Sequence, residues 1–152
     1  MSQRLDHNAV SPGGMKALGS VHGYVNHSEL PKRLVDLVYL RVSQINGCAY
    51  CIDMHSRDLL KAGLPLNHLL LVPVWREAGA AFDDQEKAAL SWAEAVTRLG
   101  ESGVRDKPFE EAASVFDQKQ LVDLTIAIGL MNCYNRIAIS FRATPSGLVD
   151  AV

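Results

Sequence analysis

Apolar residues recur along this chain at helical spacing, and no stretch sustains the period-two alternation with flanking turn residues that marks a strand. Ser11-Pro12 opens a first predicted helix that runs to about residue 26, weakened by Gly13, Gly14, Gly19 and Gly23. Leu30-Pro31 predicts a second, with Pro31 at the first helical position, where its missing N–H costs nothing. Its stripe is Leu34, Leu37, Val38, Arg41, Val42 and Ile45, at i, i+3, i+4 spacing and interrupted only by Arg41. Asn46-Gly47 is a turn signal that ends it. A third helix is expected over residues 48–62, stopped by Gly63 with Pro65 beyond.

A short helix over residues 67–72 is ended or kinked by Pro73. Residues 83–99 carry the clearest pattern: Asp83 with Glu86 has the form of a capping box, Gly100 sits past the end, and the stripe is Ala89, Trp92, Ala93, Val96 and Leu99. Another short helix begins near Pro108. The last, over residues 118–142, stops before Pro145 and is apolar nearly all round, which predicts the central buried helix. The expected fold is a compact all-α bundle of about six or seven helices, with residues 1–152 forming a single domain. One internal echo exists. Leu34-Val35-Asp36-Leu37 recurs as Leu121-Val122-Asp123-Leu124, each followed about ten residues later by an asparagine, Asn46 or Asn132; chance and a duplicated helical unit are both readings of it.

Composition narrows the function classes. A chain of 152 residues is long enough to bury a sizeable core without a disulfide or metal staple. Hydrophobic residues make up 48% and charged residues 21%, which excludes disorder as the main state. The formal net charge of −2 gives no basic surface for nucleic acid or an anionic membrane. Residues 1–12 lack the apolar core of a signal peptide, and the most apolar run, residues 124–133, is too short to span a bilayer. A cytoplasmic location follows as the expectation. There a close cysteine pair is catalytic or metal-binding more often than structural.

The three cysteines are Cys48, Cys51 and Cys133. Cys48, Cys51 and His55 stand at i, i+3 and i+7, on one face of a helix. The helix N-terminus favours a thiolate, an imidazole takes the thiol proton, and a second thiol captures an oxidised sulfur as a disulfide. Three readings compete: small core cysteines beside a packed histidine, a zinc site with Cys133 as fourth ligand, and a redox dithiol. The zinc reading lacks the usual two local ligand pairs on a loop-rich module. Haem attachment is excluded because Ile52 stands where Cys-x-x-Cys-His needs histidine, and a thioredoxin-like domain is disfavoured by the absence of strands. Asp36, twelve residues before Cys48, reaches the site only if the two helices pack as a hairpin; spacing alone favours a solvated carboxylate.

Residues 37–55, LVYLRVSQINGCAYCIDMH, resemble the AhpD-like alkylhydroperoxidase family of the carboxymuconolactone decarboxylase superfamily. The Ser-x-x-Asn-Gly-Cys-x-x-Cys-x-x-x-His string is far more specific than a bare Cys-x-x-Cys. Residues 82–97 and 132–142, with Asn135-Arg136, resemble the same family, so the likeness covers most of residues 10–145. It implies an all-helical fold assembled into homotrimers or homohexamers, and a peroxidase needing no metal, haem or other cofactor. In the family pattern the position of Cys51 attacks the peroxide and that of Cys48 resolves the sulfenic acid to a disulfide. The position of His55 and a glutamate relay protons. The glutamate position holds Asp36 here, one methylene shorter. The implied partners are a small hydroperoxide and a thiol reductant: a lipoyl-type carrier, a thioredoxin-like protein or a small thiol. A tension stands beside this, because the helix dipole alone would make Cys48 the lower-pKa thiol. The different-class alternative is a zinc-stabilised or redox-sensing oligomeric protein built on the same residues.

Other residues receive ordinary readings. Cys133, in the apolar last helix, is expected to be a buried inert thiol. Trp75, Trp92 and Tyr134 are core or interface residues, and His7, His22, His27 and His68 surface or packing residues. Arg136 is expected to pair with Asp36, Asp123 or Glu86.

Overall fold

The structure, a computed structural model, describes residues 2–101 and 103–145. In chain order they form α1 (His7–Val10), α2 (Pro12–Asn26), α3 (Lys32–Asn46), α4 (Ala49–Lys61), α5 (Leu66–Leu71), a 3-10 helix (Val72–Glu77), α6 (Asp84–Thr97), α7 (Asp106–Ala113) and α8 (Gln118–Phe141). Among the described residues the sole β feature is an isolated bridge between Gly100 and Gly103. The chain is all-α, as its periodicity predicts, with more helical pieces than the pattern counts. The domain assignment to residues 1–152 also takes in Met1, Ser102 and residues 146–152, which lie outside the described residues.

Local chemistry explains the boundaries. Asp83 and Asp117 each close a reciprocal capping box, with Glu86 and with Gln120, satisfying N–H groups that the first helical turn leaves without partners. Gly47 ends α3 at φ +71°, a left-handed conformation that an L side chain adopts only with strain. The unforeseen α1 is four residues long, too short to show a period; Asp6 caps it by accepting the Asn8 N–H at 2.9 Å. Pro31 is the cap of α3 rather than its first helical residue. The short helix α5 ends at Leu71, just before Pro73, as expected; Pro73 then takes the second position of the 3-10 helix, a first turn in which its missing N–H has no helical partner anyway. Leu99 lies beyond α6 and is 61% exposed, so it does not belong to that helix's buried stripe.

Two apolar clusters form the interior, one joining α2, α3, α4, α6, α7 and α8, the other joining α3, α4, α5, the 3-10 helix and α6. Helix α3 belongs to both. Its residues from Leu34 to Ser43 are all buried, because α4, α6 and α8 pack around it. The central buried helix is therefore α3 and not α8. The sequence points to the wrong one because α3 carries Asp36, Arg41 and Ser43, which lower its apparent apolarity. Each is satisfied inside the fold: Asp36 by Lys32 at 2.6 Å, Arg41 by Glu94 at 2.6 Å, Ser43 by Asn135 at 3.0 Å. Helix α8, 24 residues long, is long and apolar enough to cross a membrane by length and composition. It packs instead on α2, α3, α4, α6 and α7, with Asp123 and Asn135 buried.

The sequence echo has a structural counterpart. In each copy the aspartate is buried and takes an ion pair from a lysine four residues earlier, Lys32–Asp36 and Lys119–Asp123, both at 2.6 Å. Asp36 is thus not the solvated carboxylate expected from spacing. Among the described residues Arg136 pairs with no carboxylate. It lies on the exposed face of α8 and donates to the Asn132 carbonyl at 2.9 Å.

Candidate functional site

Only Gly47 and Cys48 separate α3 from α4. The turn is pinned from the α8 side. Asn46 donates to the Asn132 and Asn135 side-chain oxygens at 3.0 and 2.9 Å, and Asn135 donates to Ser43 Oγ at 3.0 Å. The Cys48 N–H then closes the turn on the Ser43 carbonyl at 3.0 Å. This network gives a physical reason for Ser-x-x-Asn-Gly before the first cysteine: each polar side chain holds the loop that delivers Cys48 to the start of α4. Asn132 and Asn135 have this role only through the tertiary fold.

Cys48 is the N-cap of α4, its Sγ accepting the Cys51 N–H at 3.4 Å. The two cysteines are joined as a disulfide with their Cα atoms 5.4 Å apart. Both are buried, yet they open to different sides. Cys51 lines a cavity of about 340 Å³ with Met15, His22, Met54, His55, Met131 and Tyr134 among its walls. Cys48 lines a separate groove of about 460 Å³ beside Gly47, Ala49, Ile139 and Arg142.

His55 is 3% exposed, and neither ring nitrogen has a hydrogen-bond partner among the described residues. Burial pushes its pKa down to about 4, helped by the nearby His22 and Lys32 and opposed by Asp58, so the imidazole is neutral at pH 7. Tyr39, on α3, packs its ring 5.2 Å from that of His55 and 5.9 Å from that of His22. Its hydroxyl is buried without a partner, and burial, with the Asp36 charge, raises its pKa and keeps the phenol protonated. Asp36 spends its carboxylate on Lys32 and makes no hydrogen bond to His55.

Comparison with known proteins gives the family. The sequence profile of the Carboxymuconolactone decarboxylase family matches residues 12–95, more than half of the chain and all of α2 to α4. The chain belongs to that family.

The uncharacterized protein YdfG of Bacillus subtilis is 35% identical over 140 residues, covering 92% of this chain and 95% of that protein. The crystal structure of ATU0492 from Agrobacterium tumefaciens, a protein of unknown function suggested to be an antioxidant defence protein AhpD, superposes with a TM-score of 0.90. The two are 39% identical, over 95% of this chain and 98% of that one. The debrominase Bmp8 shares the fold at a TM-score of 0.81 and 17% identity, covering 94% of this chain and 76% of its own.

Of the four residues singled out in the sequence, the family fold brings Cys48, Cys51 and His55 together, while Asp36 stands behind them on α3. Cys133 is a half-buried free thiol rather than the buried one expected, because its part of α8 turns partly outward. Among the described residues no group of three or more His, Cys, Asp or Glu side chains could hold a metal ion, so the zinc arrangement finds no donor set there. His22 and Tyr39 went unrecognised in the sequence. No spacing links them to the cysteines; α2, α3 and α4 must pack first.

The buried imidazole has a stability signature. Its folded pKa of about 4 lies below the ordinary 6.5, so between those values the unfolded chain binds the proton and the folded chain does not. The stability associated with neutral His55 is present above pH 6.5 and lost as pH falls through that window, by up to about 3 kcal/mol. Urea denaturation at pH 7 and at pH 4.5 should show a larger loss for the wild type than for His55→Gln. Parallel losses would refute this account of His55.

Proposed function

We propose that this chain is a thiol-dependent peroxidase that reduces alkyl hydroperoxides or hydrogen peroxide through a Cys48–Cys51 dithiol/disulfide cycle. The observation that carries the reading is the disulfide at the start of α4, with Cys51 on an apolar cavity beside an uncharged imidazole. Neutral His55 accepts the Cys51 thiol proton, and the thiolate attacks the distal peroxide oxygen. The O–O bond breaks, leaving a sulfenic acid and, once protonated, an alcohol or water. Cys48 attacks the sulfenic sulfur and releases water, forming the disulfide. Two thiols of a reductant, whether a lipoyl-type carrier, a thioredoxin-like protein or a small thiol, then restore the pair.

The separate openings support this division of labour. Peroxide meets Cys51 from the cavity, and the reductant approaches Cys48, itself buried, along the separate groove that it lines. The N-cap position favours a thiolate at Cys48, which suits a resolving nucleophile as well as a first one.

Asp36 is the weak link of the relay, since it neutralises Lys32 and does not reach His55. Asp36→Glu adds the missing methylene and is expected to raise turnover severalfold. Peroxide consumption with a dithiol reductant measures it, and an unchanged or slower rate removes Asp36 from the relay.

We further propose a cytoplasmic homotrimer or homohexamer of single-domain subunits. Exposed apolar side chains at Leu66, Leu70 and Val74, and again at Phe109, Val122 and Ile126, supply surface for subunit contacts. The test of the enzyme itself is peroxide-dependent loss of thiols in the reduced protein, with metal analysis of the same sample. About one zinc per chain and no thiol loss would rule out the peroxidase.

A further inference from the structure

Breaking a peroxide bond at Cys51 releases an alkoxide or hydroxide, and that oxygen needs a proton. His55 is poorly suited to be the sole source. Once it has taken the thiol proton it is an almost wholly enclosed cation whose nitrogens have no hydrogen-bond partner among the described residues, so it holds that proton only briefly and passes it on. A second imidazole opens on the same cavity. His22, on α2, lines it with Cys51 and His55, is half-buried, and stacks at 5.9 Å on the Tyr39 ring that also packs on His55. His22 is close enough for its charge to act on His55. Two imidazoles in unequal surroundings at one cavity are the arrangement by which proteins divide base and acid roles.

The other candidates fit less well. His7 also lines the cavity, but its ring packs on Phe141 at 6.2 Å, and it exerts no comparable influence on His55. Tyr134 offers a phenol, an intrinsically weaker acid than an imidazolium, and burial weakens it further. Asp36 and Lys32 neutralise each other on α3, and Asp58 on α4 is a carboxylate.

We propose that His22 is a second catalytic imidazole of this site, the acid that protonates the oxygen released when the Cys51 sulfur attacks a hydroperoxide. The inference rests on the peroxidase reading. His55 takes the thiol proton; the thiolate gives its electron pair to the distal oxygen, forming the S–O bond as the O–O bond breaks. His22 delivers its proton to the departing alkoxide, and the proton held on His55 restores the charge balance through the cavity.

An acid catalyst matters in proportion to the basicity of the leaving oxygen. tert-Butyl hydroperoxide releases a strongly basic alkoxide, whereas peracetic acid releases acetate, which leaves without help. His22→Gln should therefore slow oxidation of reduced protein by tert-butyl hydroperoxide by about 100-fold, at the low end of general-acid effects, and change the peracetic acid rate less than about twofold. His22→Phe keeps a ring on Tyr39 and should behave alike, which separates chemistry from packing should the glutamine variant fold poorly. Equal slowing of both oxidants, or of neither, overturns the role of His22. A wild type no faster than Cys51→Ser with either oxidant overturns the peroxidase reading itself.

Discussion

Cys51→Ser is expected to abolish peroxide consumption, while Cys48→Ser is expected to complete one stoichiometric turnover and stop with over-oxidised sulfur. The asymmetry follows from where each sulfur opens. Cys51 shares its cavity with His55, one helical turn along α4, and a peroxide entering there meets that sulfur. Serine cannot replace a thiolate at neutral pH, so no sulfenic acid forms. Cys48 lines the other groove, and in the proposed cycle it captures what Cys51 becomes. Without it the sulfenic acid persists, reacts with further peroxide and advances to sulfinic and sulfonic acid. Intact-protein mass spectrometry after one and after ten equivalents of peroxide separates the cases. Over-oxidation at Cys48 in Cys51→Ser, with Cys48→Ser inert, would reverse the assignment and favour the helix-start thiol as the attacking one.

A second large effect is expected far from the cysteines, at Glu94. Its buried carboxylate gathers Arg41 at 2.6 Å, Trp75 Nε1 at 3.1 Å and Arg76 Nη1, with Arg98 at 3.8 Å. Burial alone would push Glu94 up, but the hydrogen bonds from Arg76, Arg41 and Trp75 outweigh it and hold the carboxyl below its ordinary range. The cluster ties α3, α6 and the 3-10 helix together, and Arg41 is itself nearly enclosed. Glu94→Leu strands that guanidinium without a counter-charge and should cost about 3–5 kcal/mol, or on the order of 10 °C in melting temperature. Adding Arg41→Met removes the stranded charge and should recover much of the loss. A Glu94→Leu protein within about 1 kcal/mol of wild type in urea denaturation would show that the pair contributes little net stability.

Much of the fold can be read from local chemistry. The capping boxes at Asp83 and Asp117, the Gly47 stop and the absence of strand periodicity act within a few residues of themselves. Their consequences therefore appear in any window that contains them. The errors have a common cause as well. Helix α3 looks only moderately apolar because its buried polar side chains find partners on Lys32, Glu94 and Asn135, two of them more than fifty residues away. Asp36 has its partner one turn away at Lys32, but an i,i+4 pair is equally compatible with a solvated surface, and its burial comes from the helices packed around α3; Arg136 lies on the outward face of α8, where among the described residues it meets Asn132 and no carboxylate. Leu99 fits the α6 stripe by period, but it follows the helix end and is left exposed.

The available chemistry is written along the chain: two thiols and an imidazole at i, i+3 and i+7 after an Asn-Gly break, in an all-helical chain whose family those residues identify. Helical periodicity places them on one face whatever the rest of the chain does. Helix packing sets which sulfur meets the cavity, that His55 is buried and uncharged, that the Lys32–Asp36 pair is enclosed on the Asp36 side, and that His22 and Tyr39 join the site. These are properties of the space between helices. They depend on how α2, α3, α4 and α8 pack, and solvation and ion pairing follow from that packing rather than from neighbours along the chain.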